Sequence, residues 1–174
     1  MGEGLAVFWG RAGLAALLLT MLSACALPLN YQASRHPYAL ASDASAPELA
    51  LLEHRLYREF ANIKGDATVC AARRSESGAV VSLAAAEEQR MILRFPRLAP
   101  FERCQIDGDS LRDVEADRPA RIVEIFDVRC EDARLCYGSA GWRPGRVPYA
   151  YTEYELVFDG YWRISEDSEP IILT

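Results

Sequence analysis

Apolar and polar positions are spaced in several ways along the chain, and each spacing predicts a different element. Leu49, Leu52, Leu56, Phe60 and Ile63 recur every three or four residues, which places them on one stripe of an amphipathic helix. Ser45 and Glu48 stand in front of it with capping-box spacing, and Pro47 suits a first turn, where a missing N–H leaves no carbonyl unpaired. Lys64-Gly65-Asp66 ends the stripe, with Gly65 as the expected left-handed cap. His54 falls nearly opposite the stripe and reads as an exposed surface residue. Downstream the period shortens to two. In "RMILRF" Met91, Leu93 and Phe95 alternate with Arg90, Ile92 and Arg94, the pattern of a strand. "ARIVEIFDVRC", from Ala120 to Cys130, is β-branched and aromatic and starts apolar on both faces, as a central strand would. Between helix and strands, "ATVCAA" and "GAVVSLAA" flank "RRSES". This segment has two readings, a hairpin or a short helix through "SLAAAEEQR".

The C-terminal pattern is sharper. "YAYTEYELVF" runs through Asp159-Gly160 into "YWRIS", which predicts a hairpin. A two-residue loop would set Leu156 opposite Arg163 and mismatch the apolar faces. A three-residue loop of Phe158, Asp159 and Gly160 pairs Leu156 with Trp162 and Tyr154 with Ile164. Tyr154, Leu156, Trp162 and Ile164 then form a core face against the helix, and Tyr149, Tyr151, Glu153 and Glu155 line the other. The expected class is therefore α+β, an N-terminal helix packed on a curved antiparallel sheet. Gly160-Tyr161-Trp162-Arg163-Ile164, closing two long strands, resembles the ending of NTF2-like domains with one residue added. That resemblance implies a cone-shaped sheet able to enclose a pocket.

The N-terminus carries a different signal. Arg11 precedes about ten apolar residues, too few to span a membrane and laid out as a secretory signal. The run closes on Leu22-Ser23-Ala24-Cys25, which resembles the lipobox of bacterial lipoprotein precursors. The resemblance implies cleavage after residue 24, diacylglyceryl and acyl (palmitate-type) chains on Cys25, and membrane attachment through them. Stable anchoring takes two or more such chains. Ala26, rather than an acidic residue, follows the cysteine, which in that family implies the outer membrane, facing the periplasm. Residues 26–46 are rich in Ala, Ser and Pro and read as a flexible tether of roughly 25 Å. The organisation expected is a signal over 1–24, a lipidated cysteine and tether over 25–46, and one domain over 47–174.

Composition removes whole classes of function. The net charge is −6, and removing the signal takes away one Arg and one Glu, which leaves it unchanged. An acidic domain with scattered arginines and one lysine, Lys64, argues against nucleic acid as a partner. With Cys25 lipidated, Cys70, Cys104, Cys130 and Cys136 remain, an even number in an exported chain, and read as two disulfides. Three pairings are open; Cys130 and Cys136 enclose only five residues, which leaves Cys70 for Cys104. There is no CxxC and no histidine near these cysteines, so no metal or cofactor is expected. "DGDSLRDVEAD" has Leu111 and Arg112 where a calcium loop needs Asp and Gly, and reads as a solvated acidic loop. "YGSAG" lacks the spacing of a nucleophile elbow at Ser139. What remains is Tyr149, Tyr151, Glu153 and Glu155, aromatic rings beside carboxylates, suited to a glycan or an envelope-protein partner. The function expected is a membrane-anchored binding or assembly module, with a small-ligand or enzymatic NTF2-like domain as the alternative.

Overall fold

A computed structural model describes residues 40–145, 149–167 and 171–173, with only the backbone described at Tyr149 and 171–173. Cys25, the lipobox and most of the tether lie outside the described residues.

Helix α1 (Pro47–Asn62) starts on Pro47, but its capping box does not form. The Ser45 hydroxyl and amide both donate to Asp43 Oδ1 instead, and Glu48 turns to Arg73, 2.8 Å away. At the other end Ile63 caps the helix, and Gly65 takes its left-handed φ of +86° two residues later. Leu49, Leu52 and Leu56 are buried as the stripe requires, and so are Ala50 and Leu51. The chain before the helix is not free tether. Leu40–Ser42 form a 3-10 turn whose Leu40 and Ala41 are buried, and Leu40 N–H donates to Glu53 Oε2. Trp162 Nε1 donates to the Asp43 carbonyl and fastens the same segment.

Strand β1 (Thr68–Arg74) turns through Gly78 into the short β2 (Val80–Val81), and helix α2 (Ala85–Arg94) follows. Both readings of this segment therefore hold in part, a short hairpin and then a helix. The expected strand at "RMILRF" does not exist, because that stretch is the second half of α2 and its cap. Ala, Glu and Gln favour a helix here. Glu87 Oε2 reaches back to the Ala84 N–H, and Met91 and Phe95, four residues apart, share a buried side while Leu93 faces solvent. An alternating run this short fits the helical period as well, and the residues before it decide.

After β3 (Leu98–Ala99) and a 3-10 turn at Phe101–Arg103 come β4 (Cys104–Asp107) and β5 (Ser110–Asp113). These two form a hairpin through Gly108, so the stretch read as a solvated acidic loop contains the whole of β5 between two turns, and Asp113 in it is fully buried. β6 (Arg118–Cys130), β7 (Leu135–Arg143), β8 (Tyr149–Phe158) and β9 (Trp162–Glu166) continue as an antiparallel meander, with β10 (Ile171–Leu173) also on β8. The spatial order is β10-β8-β7-β6-β1-β2. β6 is central, but its pairing with β1 is parallel, as is that of β1 with β3. The sheet is thus mixed rather than antiparallel. The segment holding α2 and the β4–β5 hairpin supplies the long crossover that a parallel pair requires.

The β8–β9 loop has three residues, but they are Asp159, Gly160 and Tyr161; Phe158 pairs with Trp162 and Leu156 with Ile164. The register differs from the expected one by two positions, and a two-residue slip returns every side chain to the same face. Tyr154, Leu156 and Trp162 accordingly lie in the main core with Leu51, Leu52, Leu56, Val123 and Ile125. Two disulfides, Cys70–Cys104 and Cys130–Cys136, are present. The second joins residues directly opposite each other on β6 and β7, and the first ties β1 to the β4–β5 hairpin.

Candidate functional site on the outer sheet face

Alternation along β6, β7 and β8 sorts their side chains onto two faces. Val123 and Ile125 point into the main core, so Ile122, Glu124 and Phe126 point the other way. Cross-strand pairing adds Ser139 opposite Phe126, Glu153 opposite Ser139, and Glu155 opposite Tyr137. Among the described residues this outer face is covered only at one end. There Cys70, Ala72, Ala120 and Ile122 pack with Ala99, Cys104 and Leu111 in a second, smaller cluster under the β4–β5 hairpin.

Beyond that cluster the face turns polar. Glu124 is fully buried between two arginines: Arg74 donates to its Oε1 at 2.9 Å, and Arg143 Nε lies 3.6 Å away. Burying a carboxylate is costly unless cations compensate it, and here two do. Arg74 also lies over the Phe126 ring at 4.8 Å, and Phe126 meets Tyr151 edge to face at 5.3 Å. Past this aromatic pair a cavity of about 400 Å³ opens. Asp127, Glu131, Glu153 and Asp167 line it with Tyr137 and Ser139, and the one cation among the described lining residues, Arg129, pairs with Asp127 at 2.5 Å. A bulge in β6 between Phe126 and Arg129, with Asp127 at a φ of +55°, re-aims these residues where a regular strand would have continued. Burial and the nearby Glu131, Glu155 and Asp167 raise the Tyr137 pKa above the ordinary phenol value, so the hydroxyl keeps its proton and remains a donor.

The residues singled out in the sequence fall as follows. Tyr151 belongs to the aromatic pair, Glu153 lines the cavity, and Glu155 stands opposite Tyr137. Tyr149 lies on β8 opposite Leu173, its side chain outside the described set. Cys25 is likewise outside it. Sequence reasoning missed Glu124, Phe126, Tyr137 and Asp127. Glu124 sits in a strongly apolar run, and a lone acid there was the available signal for a compensated buried charge.

Two further charged centres serve the fold. Glu53, fully buried, accepts from Leu40 N–H and from Arg94 Nε at 2.9 Å. Asp113, equally buried, accepts two bonds from Arg103, one from the Thr68 hydroxyl and two from the backbone at Glu115 and Ala116. The Arg103 bonds foremost hold its carboxyl well below the usual carboxylate range. His54 is not an exposed residue. It is half-buried edge-on to Tyr154 at 5.6 Å, and burial, with Arg58 and Arg55 close by, lowers its pKa to about 4. Tyr154 is on the core face, so His54 and Ser139 lie on opposite sides of the sheet.

Among the described residues no group of three or more His, Cys, Asp or Glu side chains is arranged to hold a metal, and no helix is long and apolar enough to cross a membrane. No protein-family model, curated protein sequence or solved structure matches the chain.

Proposed function

We propose that the chain is a bacterial lipoprotein whose folded domain is a binding or assembly module. In this reading acyl chains on Cys25 hold it at the outer membrane, facing the periplasm, and the open end of the outer sheet face does the recognising. The observation that carries the reading is the acidic cavity bordered by Phe126 and Tyr151. Among the described residues four carboxylates against a single paired arginine set up a negative potential, and the aromatic rings supply apolar contact area without polar cost. The partner such a surface suits is a basic, partly apolar segment of an envelope protein; an amino-bearing glycan has related chemistry. The lipobox residues Leu22-Ser23-Ala24-Cys25 support the anchor.

A small-ligand or enzymatic role would favour an enclosed, mostly apolar pocket with a few convergent polar groups. This cavity is open and charged, and Ser139 within it has no histidine beside it among the described residues. The binding reading is therefore the better supported of the two. In-cell crosslinking of the lipidated chain followed by mass spectrometry tests it. One envelope protein should be recovered near stoichiometrically, and lost both in Glu153→Lys and in Cys25→Ala. Recovery unaffected by Glu153→Lys would move the binding surface elsewhere.

A further inference from the structure

A second cavity, of about 470 Å³, lies far along the fold from the acidic one, at the start of β1 and β6. Its walls include Arg97, Arg103, Arg118 and Thr68, with Asp66 as the lining carboxylate. Three arginines against one carboxylate form the charged part of the lining, with Asp113 and Glu115 as counter-charges around Arg103 and Arg118. The arginines are also held differently. Arg103 is fixed by two bonds to the buried Asp113 and a further contact with Glu115. Arg118 gives its Nε to the Thr68 hydroxyl, at 2.8 Å, and stands 3.9 Å from Asp113. Thr68 in turn donates to Asp113, so the hydroxyl is a relay that locks the Arg118 fork in one orientation. The two terminal nitrogens of Arg118 have no partner among the described residues, and Arg97 rests only on the Phe60 ring, at 5.5 Å.

We infer that this cavity is a binding site for a phosphate group, held between the Arg97 and Arg118 guanidinium forks. A planar carboxylate is satisfied by one fork. Two arginines that line one cavity from separate elements, the loop after α2 and the start of β6, suit a tetrahedral group whose oxygens point several ways. Pre-orientation of Arg118 by Thr68 and Asp113 reduces the entropy lost when the ligand is bound. The phosphate could come free in solution or on a lipid headgroup, and the test separates the two.

The test is calorimetric titration of the full lipidated chain in detergent, with inorganic phosphate in one arm and short-chain phosphatidic acid in the other. Saturable binding is expected, weakened about tenfold or more in Arg97→Gln and in Arg118→Gln, since a charge-assisted bond contributes that much. Arg163→Gln, a charge change at an exposed position of β9, should leave it unaltered. Arg97 is exposed and its side chain has no hydrogen bond among the described residues, so Arg97→Gln stays readable even where Arg118→Gln lowers stability. Binding in both arms identifies a lipid headgroup as an acceptable ligand, and binding of inorganic phosphate alone a soluble one. Absence of binding in both arms, or equal weakening by Arg163→Gln, overturns the inference.

Discussion

The two faces of one sheet, built from alternate residues of the same strands, have come to opposite solutions. On the inner face Val123, Ile125, Tyr154, Leu156 and Trp162 are nearly or wholly removed from water and share a core with α1. On the outer face Ile122 is buried under the β4–β5 hairpin, Glu124 is buried between arginines, and Glu153 is exposed, all within one continuous surface. The inner face is held by dry packing, which is broad and undirected. The outer face is held at one end by a disulfide and compensated charge, and open at the other, which leaves polar groups there available to a partner.

Substitutions on the two faces should therefore separate stability from recognition. The largest loss of stability is expected from Trp162→Ala, which empties the inner core and frees the Asp43 carbonyl. Urea unfolding should show about 3–5 kcal/mol, with partner capture lost only as far as the chain unfolds. Replacing Cys70 and Cys104 together with Ala comes next, at about 2–4 kcal/mol, because their bond closes a longer loop than Cys130–Cys136, whose removal should cost about 2 kcal/mol. Chemical denaturation of the two double variants side by side checks that order.

Acid should sharpen the same contrast. His54, on the inner side, has a native pKa lowered to about 4 from 6.5, so its contribution is complete above about pH 6.5 and is lost as pH falls through 4. The Asp113 carboxyl under the outer hairpin is also depressed, and its contribution holds until pH drops below the ordinary carboxylate value of about 3.9. The urea midpoint of the native chain should thus decline between pH 6.5 and 4, and His54→Phe should flatten that decline. The smallest stability effect is expected from Glu153→Lys, within about 0.5 kcal/mol by thermal melting, because the side chain is exposed. Its effect on capture should be the largest of the set.

The comparison also shows what was legible in the chain. Tyr154, Leu156 and Trp162 were assigned to the core face correctly although the register was off by two, because alternation fixes the face and not the partner. The central place of β6 was visible in its density of β-branched residues. The first half of α2 was legible as one of two readings of "SLAAAEEQR", whereas its second half reads as a strand because "RMILRF" fits both periods. The parallel β1–β6 pairing depends on contacts fifty residues apart, for which local pattern carries no signal. The same holds for Glu53, Asp113 and Glu124, whose burial depends on arginines brought up from other elements. At the candidate site Glu153 and Tyr151 could be found from their strand, whereas the cavity itself required the β6 bulge to turn Asp127.

The central claim, that the open end of the outer face recognises a partner, is tested most directly by photo-crosslinking in cells. A photoreactive amino acid is placed at position 153 in one strain and at position 76, also exposed and in the β1–β2 turn, in another. One discrete crosslinked envelope protein from position 153 and none from position 76 is the result predicted. The same pattern from both positions, or no crosslinked species from 153, would contradict it.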